Sequence, residues 1–292
     1  MADDHHQSLV ETLDALRRTL EKQSVRLERL TASAGRSECR ELLRNIADPT
    51  RLEHWGRKVY SQTDEDGIIA EIFRRLSIES DSGVVVEIGA GSGLENNTHL
   101  LLRQGFRAGW VDGGSEKIEK ISRVFNQYIE CGQLVAESLF CTAENIDTVI
   151  AKMAASEPVS LLSIDVDGND YWLWKSVTST EPAVVLIEYN GKFPPPMSVV
   201  QPYTPDHAWT GTDYFGASLS AMCKLGKTKG YELVGCNITG TNAFFVRRDL
   251  VNDRFPYPLT AEHLYQPCRY HLINDCFASE GFKAKVGRFE SV

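Results

Sequence analysis

The stretch Val84-Val-Val-Glu-Ile-Gly-Ala-Gly-Ser-Gly-Leu-Glu-Asn-Asn-Thr98 decides the fold. Three consecutive valines and Ile88 form a short apolar run, the pattern of a parallel strand buried on both faces. Gly89, Gly91 and Gly93 follow at every second position, so the strand ends in a glycine turn. Asn96-Asn97-Thr98 then suits the start of a helix through Leu100, Leu101 and Leu102, with backbone amides bared to a ligand at its N-terminus. A dinucleotide fingerprint would need Gly-x-Gly-x-x-Gly, but Leu94 stands where the third glycine of that spacing belongs, which disfavours a pyrophosphate site.

The pattern Glu87-x-Gly89-x-Gly91-x-Gly93 resembles the first motif of class I S-adenosylmethionine-dependent methyltransferases. The resemblance implies that Glu87 sits near the methionine part of the cofactor and that the glycines let the cofactor approach the backbone. Upstream, Tyr60-Ser-Gln62 is similar to the pre-motif segment of the FkbM-like group, which implies that Gln62 lines the methionine end. Ser61 or Thr63, with Asp64 or Asp66 three residues on, can equally cap the helix begun by Ile68, Ile69, Ile72 and Phe73.

Arg107-Ala-Gly-Trp-Val-Asp112 reads as a second strand ending in an acid. In this fold such an acid meets ribose hydroxyls, because its strand lies beside the first and ends at the same crevice; an Asp before Gly113-Gly114 also suits a turn. Gln133 to Phe140 reads as a third strand, with Glu137 and Ser138 as candidates for the adenine end. Val159 to Ile164 is a fourth, followed by Asp165, Asp167 and Asp170, and Ala183 to Asn190 is a fifth that ends in Glu188 and Asn190. Helices are expected at 144–155, 171–179 and 216–230. Strands alternating with helices at this rhythm predict a parallel, doubly wound α/β sheet. Thr239-Gly-Thr241 joins Tyr231–Ile238 to Asn242–Arg247 as a hairpin. Five parallel strands closed by that hairpin match the Rossmann-like seven-stranded sheet of class I methyltransferases, with helices on both faces, over residues 58–248.

Gly191 to Gly216 is a long connection rich in Pro, with His207, Trp209 and Asp213, and reads as a substrate lid. The ends of strands four and five bring Asp165, Asp167, Glu188 and Asn190 to one place, an oxygen set suited to Mg²⁺ or Mn²⁺. This is similar to catechol-type O-methyltransferases, although Glu188-Tyr-Asn190 departs from their adjacent Asp-Asn pair. The resemblance implies S-adenosylmethionine as cofactor and Asp165 as a cofactor contact. It further implies metal-assisted transfer to a hydroxyl, with His207 taking the proton and Asp165 and Asp167 catalytic, while the FkbM-like resemblance, the acidic charge and the polar, aromatic lid point to a sugar, polysaccharide precursor or secondary metabolite as acceptor. Asp167 and Asp170 also suit helix capping. Two rivals stand beside this: an Asp-x-Asp glycosyltransferase using Asp165-Val-Asp167, and a non-catalytic scaffold.

Residues 8–34 carry leucines at 9, 13, 16, 20, 27 and 30 in a four-three alternation, with Gln23 on the seam. A helix is expected there, ended by Gly35 and followed by a second helical region from Glu38 to Arg57. It can fold back on the domain or form a coiled-coil arm (1–35) that makes a homodimer. The remainder, 36–292, reads as one methyltransferase domain, with a C-terminal extension from 249 that forms a helix at about 260–277. The net charge of −9 gives no basic footprint for nucleic acid or anionic lipid. Seven cysteines without a C-x-x-C pair read as reduced core residues. With no spanning helix and no signal-peptide layout, the expected location is cytoplasmic.

Overall fold

The computed structural model describes residues 2–275. The chain opens with α1 (Ala2–Arg44), a 3-10 turn (Leu52–Trp55) and α2 (Glu65–Leu76). The first half of the sheet domain follows as β1 (Val84–Ile88), α3 (His99–Arg103), β2 (Arg107–Asp112), α4 (Ser115–Val124), α5 (Asn126–Glu130) and β3 (Leu134–Ser138). The second half is α6 (Ile146–Ala154), β4 (Val159–Ile164), α7 (Asp170–Ser176), β5 (Val184–Glu188), α8 (Leu219–Thr228), β6 (Tyr231–Cys236) and β7 (Asn242–Arg247). Three short helices, α9 (Arg248–Val251), α10 (Ala261–Leu264) and α11 (His271–Asp275), close it.

The strands form one seven-stranded sheet in the order β3-β2-β1-β4-β5-β7-β6. All pairs are parallel except those made by β7, which runs antiparallel to β5 and β6. The apolar runs explain the layering: β1 and β4 are buried along their whole length, as strands covered by helices on both faces must be. The order reverses between β1 and β4, and the crevice at that switch point is where ligands bind in open α/β sheets.

Three expectations change. Gly35 does not end the first helix, and there is no second helix to Arg57: α1 runs unbroken to Arg44, and the 3-10 turn stands apart from it. A glycine inside a helix costs only about 1 kcal/mol relative to alanine, and docking of the following turns offsets that. There, Cys39 is buried against Ile238 and Leu272, with Leu42, Leu43 and Ile46 packed around them. The helix expected at 260–277 is broken between α10 and α11, because Pro267 lacks an N–H and cannot continue a helix; its last two residues lie outside the described ones. Cys39 is disulfide-bonded, so it departs from the reading of every cysteine as reduced, while Cys141 and Cys236 are buried thiols. Among the described residues no helix is long and apolar enough to cross a membrane.

The α2 start is stitched by its acids. Ser61 Oγ accepts the Asp66 N–H (3.3 Å), and Asp66 Oδ2 accepts the N–H groups of Val59, Tyr60 and Ser61 at 2.7, 2.6 and 2.8 Å. The residues before the helix therefore wrap around one carboxylate. Tyr60 in turn stacks on His99, with ring centroids 3.9 Å apart.

His99 is 1% exposed. Burial, aided by the charge of Arg103, pushes its imidazole down from 6.5 to about 4. The unfolded chain therefore binds this proton first as pH falls, so the contribution of neutral His99 to stability is present above pH 6.5 and is lost toward pH 4. His99→Phe keeps the ring stack and removes the titration. Urea unfolding at a series of pH values should show wild type losing about 3 kcal/mol relative to this variant across that window; parallel stability curves would refute the assignment.

Candidate functional site

The crevice at the carboxyl ends of β1, β2 and β4 holds a cavity of about 610 Å³, a size typical of small-ligand sites. Its first wall is the glycine turn. Gly89 has φ +90°, and a Cβ there would lie 1.7 Å from the Asp165 carbonyl oxygen, so only glycine lets the β1 end pass so close to the end of β4. Gly91 has φ +57°, and its absent Cβ would meet nothing within 4 Å. Its N–H donates to Asp112 Oδ2 (2.9 Å). Gly93 lies deeper, against Trp110, and does not line the cavity.

Asp112 joins the same wall at the end of β2, where Oδ1 accepts the Gly114 N–H (2.8 Å) and Lys117 Nζ approaches at 3.2 Å. Gln62 faces both this cavity and an adjoining one of about 210 Å³ that includes Asn96 and Asn97. Its placement follows from the loop wrapped on Asp66, a link that the sequence did not disclose.

Glu87 lines the smaller cavity beside Gln62 and also holds the loop that follows the glycine turn. Its carboxylate is fully buried and accepts from Asn97 N–H (2.8 Å), Thr98 N–H (2.9 Å), Thr98 Oγ1 (2.6 Å) and Asn96 Nδ2 (2.8 Å). The amides expected to be bare for a ligand ahead of α3 are therefore taken by Glu87. Burial pushes this acid up to about 6 against the pull of those four donors.

At the β3 end the expected polar contacts are replaced by an apolar shelf. Glu137 pairs with Lys152 (2.7 Å) and Ser138 is exposed, and neither lines the cavity; Leu139, Phe140 and Cys141 do. β3 ends at Ser138, and the residues that follow it are the ones that reach the crevice.

The opposite wall is acidic. Asp165, Asp167 and Glu188 each bring a carboxylate oxygen to within 4.8 Å of the other two. Asp167 adopts φ +56°, and Asp170 fixes that turn by accepting Val166 N–H and Gly168 N–H, each at 2.9 Å. Glu188 Oε2 is buried without a hydrogen-bond partner. Burial first, and then the neighbouring acids, push Asp165 and Glu188 well above the carboxylate range, and burial raises Asp167.

Two expected members have partners of their own. Asn190 is buried and committed elsewhere: Nδ2 donates to the carbonyls of Asp213 and Phe215, both at 3.0 Å, and Oδ1 accepts the Lys192 N–H (3.1 Å). It straps the 191–216 connection to the end of β5 and lies outside the carboxylate group. His207 lines the cavity, but both ring nitrogens are engaged. Gln201 Oε1 accepts the Gly216 N–H (3.2 Å), so its Nε2 donates to His207 Nδ1 (3.3 Å), and His207 Nε2–H points to the Asp167 carbonyl (3.3 Å). The ring lies over Gly168, where a Cβ would fall 2.5 Å from it. His207 thus clamps the Asp167 turn while lining the cavity.

Another cavity, of about 670 Å³, lies at the far end of the sheet beside Pro158, Thr178 and Arg247. Among the described residues it holds no unpartnered buried polar side-chain atom, so the chemistry concentrates at the carboxyl ends.

No family model matches the chain, and no curated protein matches it. Solved structures do. The CcbJ methyltransferase from Streptomyces caelestis is 10% identical over 61% of this chain and 88% of its own, with a TM-score of 0.38. The N-terminal domain of EvdMO1, solved in the presence of SAH and D-fucose, is 14% identical over 72% of this chain and 96% of its own, with a TM-score of 0.42. A SAM-dependent methyltransferase from Thiobacillus denitrificans, in complex with S-adenosyl-L-homocysteine, is 17% identical over 63% of this chain and 70% of its own, with a TM-score of 0.35. At these TM-scores the likenesses carry no assignment to this chain.

Glu87→Gln tests the buried acid. An amide nitrogen cannot accept, so at least one donor among Asn96, Asn97 and Thr98 is left facing another donor. Thermal and urea unfolding should show a loss of about 2–4 kcal/mol; a neutral substitution would mean that the carboxylate does not hold the loop.

Proposed function

We propose that the chain is an S-adenosylmethionine-dependent methyltransferase that methylates a hydroxyl of a sugar, polysaccharide precursor or secondary metabolite with the help of a divalent cation. The observation that carries this reading is the pairing of two unlike walls in one cavity. Gly91 and Asp112 offer bare backbone and a carboxylate on one side, and Asp165, Asp167 and Glu188 crowd together on the other.

The residues fit the cofactor. The open space beside Gly91 is where a side chain would otherwise stand, so a ligand can lie flat on the turn. Asp112, already oriented by Gly91 and Gly114, keeps lone pairs for ribose hydroxyls. Leu139 and Phe140 supply an apolar face for a base, and Gln62, beside the smaller cavity, faces the methionine end. When bound, S-adenosylmethionine supplies an electrophilic methyl group on a sulfonium.

They also fit a metal. Carboxylates this close and short of donors either take up protons or share a cation, and hard oxygen ligands suit Mg²⁺ or Mn²⁺. A divalent ion there would supply Lewis acidity that lowers the pKa of an acceptor hydroxyl. Asp165, Asp167 and Glu188 would hold it, and His207 would hold Asp167. The acceptor's proton would leave toward the cavity wall on which His207 stands beside the cluster.

Two measurements test the two halves separately. Gly91→Ala places a methyl in the open space at a cost of about 1–2 kcal/mol for the left-handed backbone at φ +57°, so the fold should persist while calorimetry shows S-adenosylmethionine binding weakened by about tenfold or more; unchanged affinity would sink the cofactor site. Titration with Mn²⁺ alone, followed by electron paramagnetic resonance, should show one bound ion in the wild type and none in Asp167→Ala. Equal binding by both proteins, or binding by neither, would remove the metal while leaving the cofactor reading intact.

A further inference from the structure

We infer that the N-terminal half of α1 pairs with a second copy of the chain as a parallel, in-register two-stranded coiled coil across Leu13, Leu16, Leu20, Gln23, Leu27 and Leu30. These positions alternate by three and four, the spacing that keeps one stripe facing a partner helix. The five leucines are 54 to 66% exposed, an extent that no packing among the described residues relieves. Among those residues the helix docks near its C-terminal end, where Cys39, Leu42 and Leu43 meet the β6–β7 turn at Ile238 and α11 at Leu272, and His271 approaches Glu38 at 3.0 Å. At 43 residues α1 is about 65 Å long, so the leucine stripe projects from the domain.

Seam length alone would make so short a coiled coil marginal, since an isolated helix must first nucleate. Here nucleation is already complete, because the projecting turns continue a helix anchored from Gly35 to Arg44. Gln23 sets the direction. In a parallel, in-register pair Leu meets Leu at five levels, and Gln23 meets Gln23 of the second copy, where each amide can donate and accept. The antiparallel register that pairs the same six positions sets 13 against 30, 16 against 27 and 20 against 23. That arrangement buries each amide against Leu20, a polar group without a partner. Flanking charges permit the parallel form: Thr19 falls opposite Ser24, and Arg26 opposite Thr31, so no like charges face each other. Arg17 is satisfied within its own helix by Glu21 (2.9 Å).

The full chain tests this. Light scattering should give twice the chain mass, and Leu20→Asp with Leu27→Asp should return it to one chain while S-adenosylmethionine-independent thermal unfolding stays cooperative. Gln23→Cys should form a disulfide between copies on mild oxidation, in excess of any that wild type forms through the exposed Cys131. A wild type of single-chain mass would overturn the pairing. A dimer in which Gln23→Cys fails to cross-link, while mixed Leu13→Cys and Leu30→Cys chains do, would overturn the parallel register.

Discussion

The Glu87 carboxylate is the interaction on which the site depends. It lies on the central strand with no cation beside it, and it remains there only because four donors from Asn96, Asn97 and Thr98 converge on it. Those bonds bend the chain after the glycine turn and pass order outward. Thr98 Oγ1 donates to Glu87 and accepts from Trp110 Nε1 (2.7 Å), which locks the first strand's turn to the second strand. The same bend sets His99 under the Tyr60 ring, and so fixes the segment that carries Gln62 to the cavity. One buried acid thus positions three walls without lining the main cavity itself.

Other interior acids show the same economy of partners. Asp66 collects three backbone N–H groups and Asp170 two, and each holds a turn. Glu65 accepts from Thr63, Asn237 and Asn242, tying the start of α2 to the terminal hairpin. Asp165 and Asp167 are hydrogen-bonded to none of these donors, and Glu188 keeps a bare oxygen. Asp66 also keeps one bare oxygen, Oδ1, so what separates the fold-building acids from those that face the cavity is the set of donors that each has gathered.

That difference also marks where the sequence stops being readable. Apolar runs, glycine spacing and the Thr239-Gly-Thr241 turn report local constraints, so the strands, their parallel rhythm and the closing hairpin were legible, as was the convergence of Asp165, Asp167 and Glu188 at neighbouring strand ends. The partner of a polar group is not local. Asn190 looks like a ligand until Asp213 and Phe215, more than twenty residues away, claim its amide. His207 looks like a free lid residue until Gln201 and the Asp167 carbonyl hold its ring. Glu137 and Ser138 look inward on paper, but they lie within β3, and the crevice is lined by Leu139 and Phe140 just beyond its end. Gly35 failed as a stop signal for an energetic reason: its cost is smaller than what the docked turn of α1 recovers.

The sheet's topology explains why unlike walls share one cavity. Strands on the β1 side of the switch point end in turns whose amides are held by acids already at the strand ends, so that side presents backbone, one oriented carboxylate and an apolar shelf. Strands on the β4 side end where helices and the 191–216 connection approach with carbonyls, as Asn190 and His207 show, and carbonyls cannot satisfy carboxylates. An electron-rich corner therefore forms opposite a turn of open backbone, with Asp167 reaching solvent and Asp165 and Glu188 set behind it. Uptake of protons, or of a cation lodged among the three oxygens, relieves that corner without rearranging the strands.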